Sequence, residues 1–391
     1  MPASWLLLTL LFSYDPDGQP ADPAAHIRVA AQATREGRFD DAVTELRKAT
    51  ELAPALPAGW YALGQAYNDI SNEALGSFDT PHESSWRQLL AADVLLARGR
   101  LTDAFTLYRQ AFEQLPSMIN IHDSIARIYE QAGHTDWAER ERGAASGAMV
   151  DCAARRALCE FRAGQYAAAL RAAAAHADPE SRYWRARVAA ELSRAAFTQL
   201  DALPDSAERR GVRAARARAE ERHLDAIAEL KAALAFAPGD SALLYDLASA
   251  YYAVRAYDQV VATLTPLLRT HPDDPRLLKL IGYSLLQLRR LEEALPALRR
   301  TVERDSSDPG PRLALGRAYL QNGEFARAIP LIEPQLADDE DGSLHVQLAR
   351  AYGRLGERDK AARLLERSQE LQRAADDRIA AAARRTITAP Q

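Results

Sequence analysis

Laid against itself at a shift of 34 residues, the chain repeats. Small residues recur at Ala92 and Ala126, then at Ala214, Ala248, Gly282 and Gly316. Twelve positions after each stands a second: Ala104, Ala138, Ala226, Val260, Ala294 and Ala328. A last copy, one residue shorter, carries Ala349 and Ala361. Between the two small places a Tyr or Leu returns, at Leu95, Tyr129, Tyr251, Leu285, Tyr319 and Tyr352. Pro54, Pro116, Pro238 and Pro272 close several units.

Each unit reads as a helical hairpin. In LGRAYLQNGEFARAI (315–329), Leu315, Ala318 and Tyr319 share one face of a first helix. Gly323 supplies a turn, and Phe325, Ala328 and Ile329 repeat the spacing on a second helix. Two helices cross closely only where side chains are small, and the larger Tyr, Leu and Phe fill the groove between hairpins. One hairpin cannot bury its apolar face alone, so the units stack.

GWYALGQAY (59–67) carries Trp60, Leu63, Gly64 and Tyr67 at W-x2-L-G-x2-Y spacing, and residues 313–329 come close to it. In this the chain resembles the tetratricopeptide repeat family over roughly 23–370. The resemblance implies an all-α fold, a tetratricopeptide-type α-solenoid, that is, a right-handed superhelix of helical hairpins. It also implies a non-enzymatic scaffold that binds peptide or protein segments in the groove lined by first helices.

Departures from the pattern suggest an organisation. Residues 23–149 read as an N-terminal repeat block whose second unit is atypical, because its second half is interrupted at Pro81 and lacks the small-residue place. Residues 150–206 read as degenerate repeats with shortened second helices and breaks at Pro179 and Pro204. Residues 207–385 form a regular block with an extended, charged capping helix, and 386–391 a tail. Residues 1–22 combine the apolar run Trp5–Phe12 with a Pro/Asp/Gly-rich linker. The run suits the core of a secretory signal, although no Lys or Arg precedes Arg28, and it is too short to span a bilayer. Export to the periplasm or medium is the expectation, with a role in envelope assembly or secretion.

A net charge of −5 and a pI near 6.0 leave no overall basic field for nucleic acid. Only Lys48, Lys231, Lys279 and Lys360 among the 49 basic residues are lysines. The densest basic stretch, ERRGVRAARARAEER (208–222), mixes Arg with Glu and has no aromatic, so it reads as a salt-bridged helix face. The acidic run ADDEDGS (337–343) lacks the alternation of a calcium loop and reads as a loop before a helix.

Phosphate-binding, dinucleotide, zinc-protease and nucleophile-elbow motifs are all absent, and the 8 His are dispersed about one per repeat. No cofactor, metal or small-molecule substrate is expected. An enzyme with a hidden site in 150–206 is a third class after the scaffold and an anionic-polymer binder (polysaccharide or nucleic acid) using Arg-rich groove residues.

The family's groove places fall on Tyr61, Gln65 and Asn68, then on Asp123, Arg127 and Glu130, then on Tyr245, Ser249 and Tyr252. They continue with Arg276, Lys279, Tyr283 and Gln287, and end with Arg317, Arg350 and Arg354. A Tyr- and Arg-rich groove suits an acidic or carboxylate-bearing protein segment. The Lys/Asn carboxylate clamp of the family's chaperone adaptors has no counterpart, since Asn occurs only at 68, 72, 120 and 322.

Cys152 and Cys159 are the only cysteines. On one continuous helix their separation would be about 10.5 Å, beyond the roughly 7 Å a disulfide spans. A bridge requires the helix to start near Arg155, with Cys152 in the preceding turn. Bridge and free thiols both stay open at this point.

Overall fold

The computed structural model describes residues 22–78, 83–147, 150–305, 308–384 and 386–389. The signal-like run, Pro81 and His82 lie outside the described residues. Those described form twenty α-helices and no strand. They divide into two compact units, Met1–Val212 with Thr386–Gln391, and Arg213–Arg385.

Local sequence starts many first helices in one way. Asp22, Asp178, Asp274 and Asp308 each cap a helix by accepting a backbone N–H, and a Pro follows each one. The Asp satisfies an orphan donor, and the Pro occupies a position whose N–H has no partner in any case. Most hairpins turn through a left-handed residue, glycine at Gly37, Gly99, Gly133, Gly164, Gly323 and Gly356. Glu221, Arg255 and Arg289 hold the same place at φ of 59, 60 and 59°.

In the first unit, α1 (Pro23–Arg35) pairs with α2 (Phe39–Leu52), and α3 (Pro57–Gly76) follows. Then come α4 (Ser84–Ala97) with α5 (Leu101–Gln114), and α6 (Asn120–Gln131) with α7 (Thr135–Gly147). The short α8 (Arg156–Arg162) and α9 (Tyr166–Ala174) form the next hairpin, before α10 (Pro179–Ala202).

Residues 179–206, expected as a hairpin with a short second helix, contain instead one helix of 24 residues. Pro179 does not break it but begins it, at the position where proline fits. Its C-terminal half supplies what α3 lacks. Among the described residues no second helix lies between α3 and α4, and Leu192 and Ala196 of α10 share a cleft with Leu63 and Tyr67 of α3. A Cβ on Gly64 would lie 2.4 Å from the Phe197 ring. The small-residue place of the second repeat therefore receives a helix from far along the chain.

Because α8 begins only at Arg156, Cys152 sits in the turn before it, and Asp151 braces that turn by accepting the N–H groups of Ala153 and Ala154. The cysteine Cα atoms are 5.7 Å apart, and the sulfurs are bonded as a disulfide. Arg155, just before α8, reaches both carboxylate oxygens of Glu180 and the carbonyl of Ser117.

The second unit is regular. Helix α11 (Ala207–Ala219) contains the boundary at Val212, and the unit's own helices are α12 (His223–Phe236), α13 (Ser241–Ala253), α14 (Tyr257–Thr270) and α15 (Pro275–Gln287). They continue with α16 (Leu291–Arg304), α17 (Pro309–Gln321), α18 (Phe325–Ile332), α19 (Ser343–Arg354) and α20 (Arg358–Ala383). The repeated glycines work as the pattern requires. A Cβ on Gly282 would lie 2.8 Å from Leu298, and one on Gly316 2.6 Å from Ile332. Helix α20 runs 26 residues, and past Ser368, which donates to the Gly342 carbonyl, its surface is solvated and charged.

Candidate peptide-binding grooves

All the groove candidates lie on first helices: Tyr61, Gln65 and Asn68 on α3, Arg127 on α6, Tyr245 and Tyr252 on α13. Arg276, Lys279 and Tyr283 lie on α15, Arg317 on α17, and Arg350 and Arg354 on α19. The two units treat these faces differently.

In the first unit the N-terminal half of α10 fills the first-helix face. Tyr183 packs 5.8 Å from Trp86 of α4 and accepts a hydrogen bond from Asn120 of α6 at 2.9 Å. Arg187, one turn on, donates to Asp93 of α4 and to the Tyr183 hydroxyl, both at 2.5 Å. It also lies over Phe161 of α8, 5.2 Å from the ring centre. Tyr108 donates to the same Asp93 at 2.5 Å. Burial is the largest influence on Arg187 and opposes its charge, but Asp93 together with Tyr183 and Tyr108 outweighs it, so its pKa is raised and the guanidinium stays charged. Burial first, and then the same carboxylate, push the Tyr108 phenol up.

Beside this network remains a 340 Å³ cavity, lined by Leu75, Leu90, Val94, Arg127, Arg187 and Arg194 among others. Among the first-unit groove candidates, Arg127 opens onto this cavity. Its neighbours Asp123 and Glu130 are engaged by Arg162 and Arg142. On α3, Tyr61, Gln65 and Asn68 are half-buried.

Among the described residues, no such helix covers the face in the second unit. The Arg276 guanidinium lies 5.6 Å over the Tyr245 ring, and both line a 280 Å³ cavity with His271 and Asp274. Tyr252 stands edge-on to Tyr257 at 5.4 Å. The Tyr283 phenol is raised by burial, then by Asp308 and by Tyr252, which puts these three groups within electrostatic reach of one another. Lys279 is neutralised by Asp308 at 2.5 Å, and Arg276 by Asp274 at 3.0 Å. Arg317 instead meets a neutral partner, Gln347 on α19, at 3.2 Å. Arg350 and Arg354 are exposed and have no ion pair among the described residues. Uncompensated positive charge therefore collects on α17 and α19, and tyrosines line α13 and α15.

The chain matches Tetratricopeptide repeat models at 217–282, 285–344 and 343–378, and a TPR repeat model at 34–69. This is a multi-repeat tetratricopeptide protein. As such it is a protein–protein interaction scaffold, of a fold that is typically non-catalytic. Among solved structures, MamA from Desulfovibrio magneticus RS-1 is 22% identical, with 44% of this chain and 97% of that one covered at a TM-score of 0.40. MamA MSR-1 is 23% identical, with coverage of 42% and 95% and a TM-score of 0.38. Both likenesses are of helical repeats over less than half of this chain. No curated protein matches it.

Other features of this tetratricopeptide protein follow from its repeats. The arginines of 208–222 are engaged with acids: Arg210 with Asp205, Arg218 with Asp246, and Arg222 with Glu220 and Asp225. In the acidic run, Asp339 accepts the N–H groups of Leu344 and His345 and so starts α19. No cluster of metal-ligating side chains occurs among the described residues, and no described helix is long and apolar enough to cross a membrane. The Asp93–Arg187–Tyr108–Tyr183 network was not anticipated from sequence, since each member alone reads as an ordinary helix-face residue. Asp308 and Gln347 were missed as well, although the Asp-Pro pair at 308–309 signals a cap.

Proposed function

We propose that the second unit is the partner-binding part, and that its groove holds an extended protein segment with an acidic group or carboxylate over α17 and α19. One observation carries this reading. Tyr252 of the tyrosine-lined face lies within electrostatic reach of Arg317, and among the described residues Arg317, Arg350 and Arg354 have no acidic counterpart, whereas Lys279 and Arg276 are already neutralised. Arginine recognises carboxylates through two parallel hydrogen bonds, and tyrosines supply rigid contact area. The first-unit groove is the lesser candidate, because α10 occupies it.

Fluorescence anisotropy with acidic peptides, and with the same peptides amidated, tests the reading. Changing Arg317 and Arg350 to Glu is expected to weaken acidic-peptide binding by about tenfold or more. Unchanged affinity would refute it. A polysaccharide or nucleic acid would instead show a steep loss of binding between low and moderate salt.

We also propose that the protein works outside the cytoplasm, in envelope assembly or secretion. The Cys152–Cys159 disulfide supports this, because disulfides persist in oxidising compartments. Fusing residues 1–22 to a reporter that matures only after export provides the check. A reporter retained in the cytoplasm counts against it.

A further inference from the structure

The repeat tyrosine between the two small places meets different partners along the chain. The Tyr319 hydroxyl accepts from Arg299 at 2.9 Å and from Arg327 at 2.6 Å. These arginines belong to α16 and α18, the second helices on either side of α17. Tyr129 of α6 has Arg109 twenty positions before it, as Tyr319 has Arg299, but Trp137 stands eight positions after it in place of the second arginine. The Trp137 ring packs edge-on at 5.4 Å and that of Phe105 at 5.7 Å, and neither offers the phenol an acceptor. A buried tyrosine hydroxyl still needs a partner.

That partner comes from 259 positions away. The Tyr129 hydroxyl donates to the carbonyl of Thr388 at 2.7 Å. The side chain of Ile387 packs, half-buried, against the hydrophobic core of the first unit. The segment belongs to that unit, and its described part, Thr386–Ala389, has no regular secondary structure. Thr386, Thr388 and Ala389 are exposed, so the anchoring rests on one aliphatic side chain and the carbonyl that follows it. Burial, Glu141 and Arg109 act on the Tyr129 phenol in that order, and the net effect pushes it up to about 12.

We infer that the surface around Tyr129, Trp137 and Phe105 is a docking site for an extended segment in which an aliphatic residue precedes an accessible backbone carbonyl. Residues 386–389 are its occupant in cis. A site anchored by so few groups holds its occupant through proximity, and a cis segment competes at the high effective concentration its tether provides. The surface belongs to the first unit and the arginines of α17 and α19 to the second, so this site and the second-unit groove are tested independently.

The experiment compares the full chain with a variant lacking 386–391, using a labelled synthetic peptide of sequence RRTITAPQ. The peptide is expected to bind the truncated chain, and the full chain at least about tenfold more weakly. A peptide carrying Asp at the Ile387 place is expected not to bind either. Amide exchange in α5 and α7 is expected to be faster in the truncated chain. If truncation impairs folding, full-length Ile387→Asp serves in its place. Absence of peptide binding with unchanged exchange overturns the proposal, and so does equal binding to both chains. A full-length dimer that becomes monomeric on truncation overturns the cis assignment, because the segment then docks on a second copy.

Discussion

The Phe197 ring lies against Gly64, so close that an added Cβ on the glycine would sit 2.4 Å from its nearest atom. In the regular hairpins that place faces the helix next in the chain, as Gly282 faces Leu298. Here it faces α10, and α3 and α10 together make a hairpin-like pair whose members are not consecutive.

Gly64→Ala is therefore expected to overpack this contact and destabilise the first unit by about 1–3 kcal/mol. Adding Phe197→Ala should recover part of the loss, since the clash would have no partner. Urea unfolding of the two single variants and the double variant measures the coupling. Strictly additive effects would contradict the contact.

Arg187 is 7% exposed and bonded to Asp93, Tyr183 and Ser124. Arg187→Ala leaves the Asp93 carboxylate largely buried without its cation, a loss expected to cost about 3–5 kcal/mol. Replacing both members together, Arg187→Met with Asp93→Leu, should cost much less, because no uncompensated charge remains. Equilibrium unfolding that ranks the double variant below the single one would refute this account.

The disulfide closes a short loop, and its reduction is expected to lower stability by about 2–3 kcal/mol. Thermal unfolding with and without reductant measures the difference, and Cys152→Ser with Cys159→Ser should match the reduced protein. A thiol assay on the denatured, unreduced chain is expected to find none. Two thiols per chain would contradict the bridge.

Asp308 is held below its usual pKa by Lys279 and by the Gly310 N–H, and Asp274 is lowered by Arg276. Both folded values lie below the unfolded ones. Their stabilisation is thus fully present above the unfolded value of about 3.9 and is lost as pH falls through the folded values. Asp308→Ala is expected to cost about 1 kcal/mol at neutral pH, and less once the carboxylate is protonated. A cost that does not change down to pH 2.5 would count against the charged cap.

Arg289 holds φ of 59° at the turn where the next hairpin has Gly323 at 78°. A residue with a Cβ is strained there by roughly 1 kcal/mol. Arg289→Gly is expected to raise the stability of the second unit by up to about 1 kcal/mol. A lower denaturation midpoint would show that Arg289 has a packing role outweighing the strain.

Much of the fold was legible because each hairpin is made by residues close in sequence. The small places 12 apart set the crossing, as Gly316 against Ile332 shows, and Gly323 sets the turn. The Asp-Pro pairs that start four helices carry a local signal too, but Pro by itself does not say whether an element ends or begins there. The single helix at 179–202 was harder to see. Its Ala-rich stretch fits a hairpin or a continuous helix equally well, and Pro179 can end one element or begin the next. The site was less legible than the fold. Lys279 reads as an open cation until Asp308, from the following repeat, is seen to neutralise it.

Helical hairpins and their stacking were thus settled by local pattern, since each repeat buries its apolar face against its neighbours in sequence. Which faces stay open was settled by long-range packing. Leu63, Gly64 and Tyr67 required a covering helix but carried no information about which one, and the charges of Asp93 and Arg187 were complementary without any sequence proximity. Burial rewards whichever distant surface fits, and that choice appears only when the chain is folded.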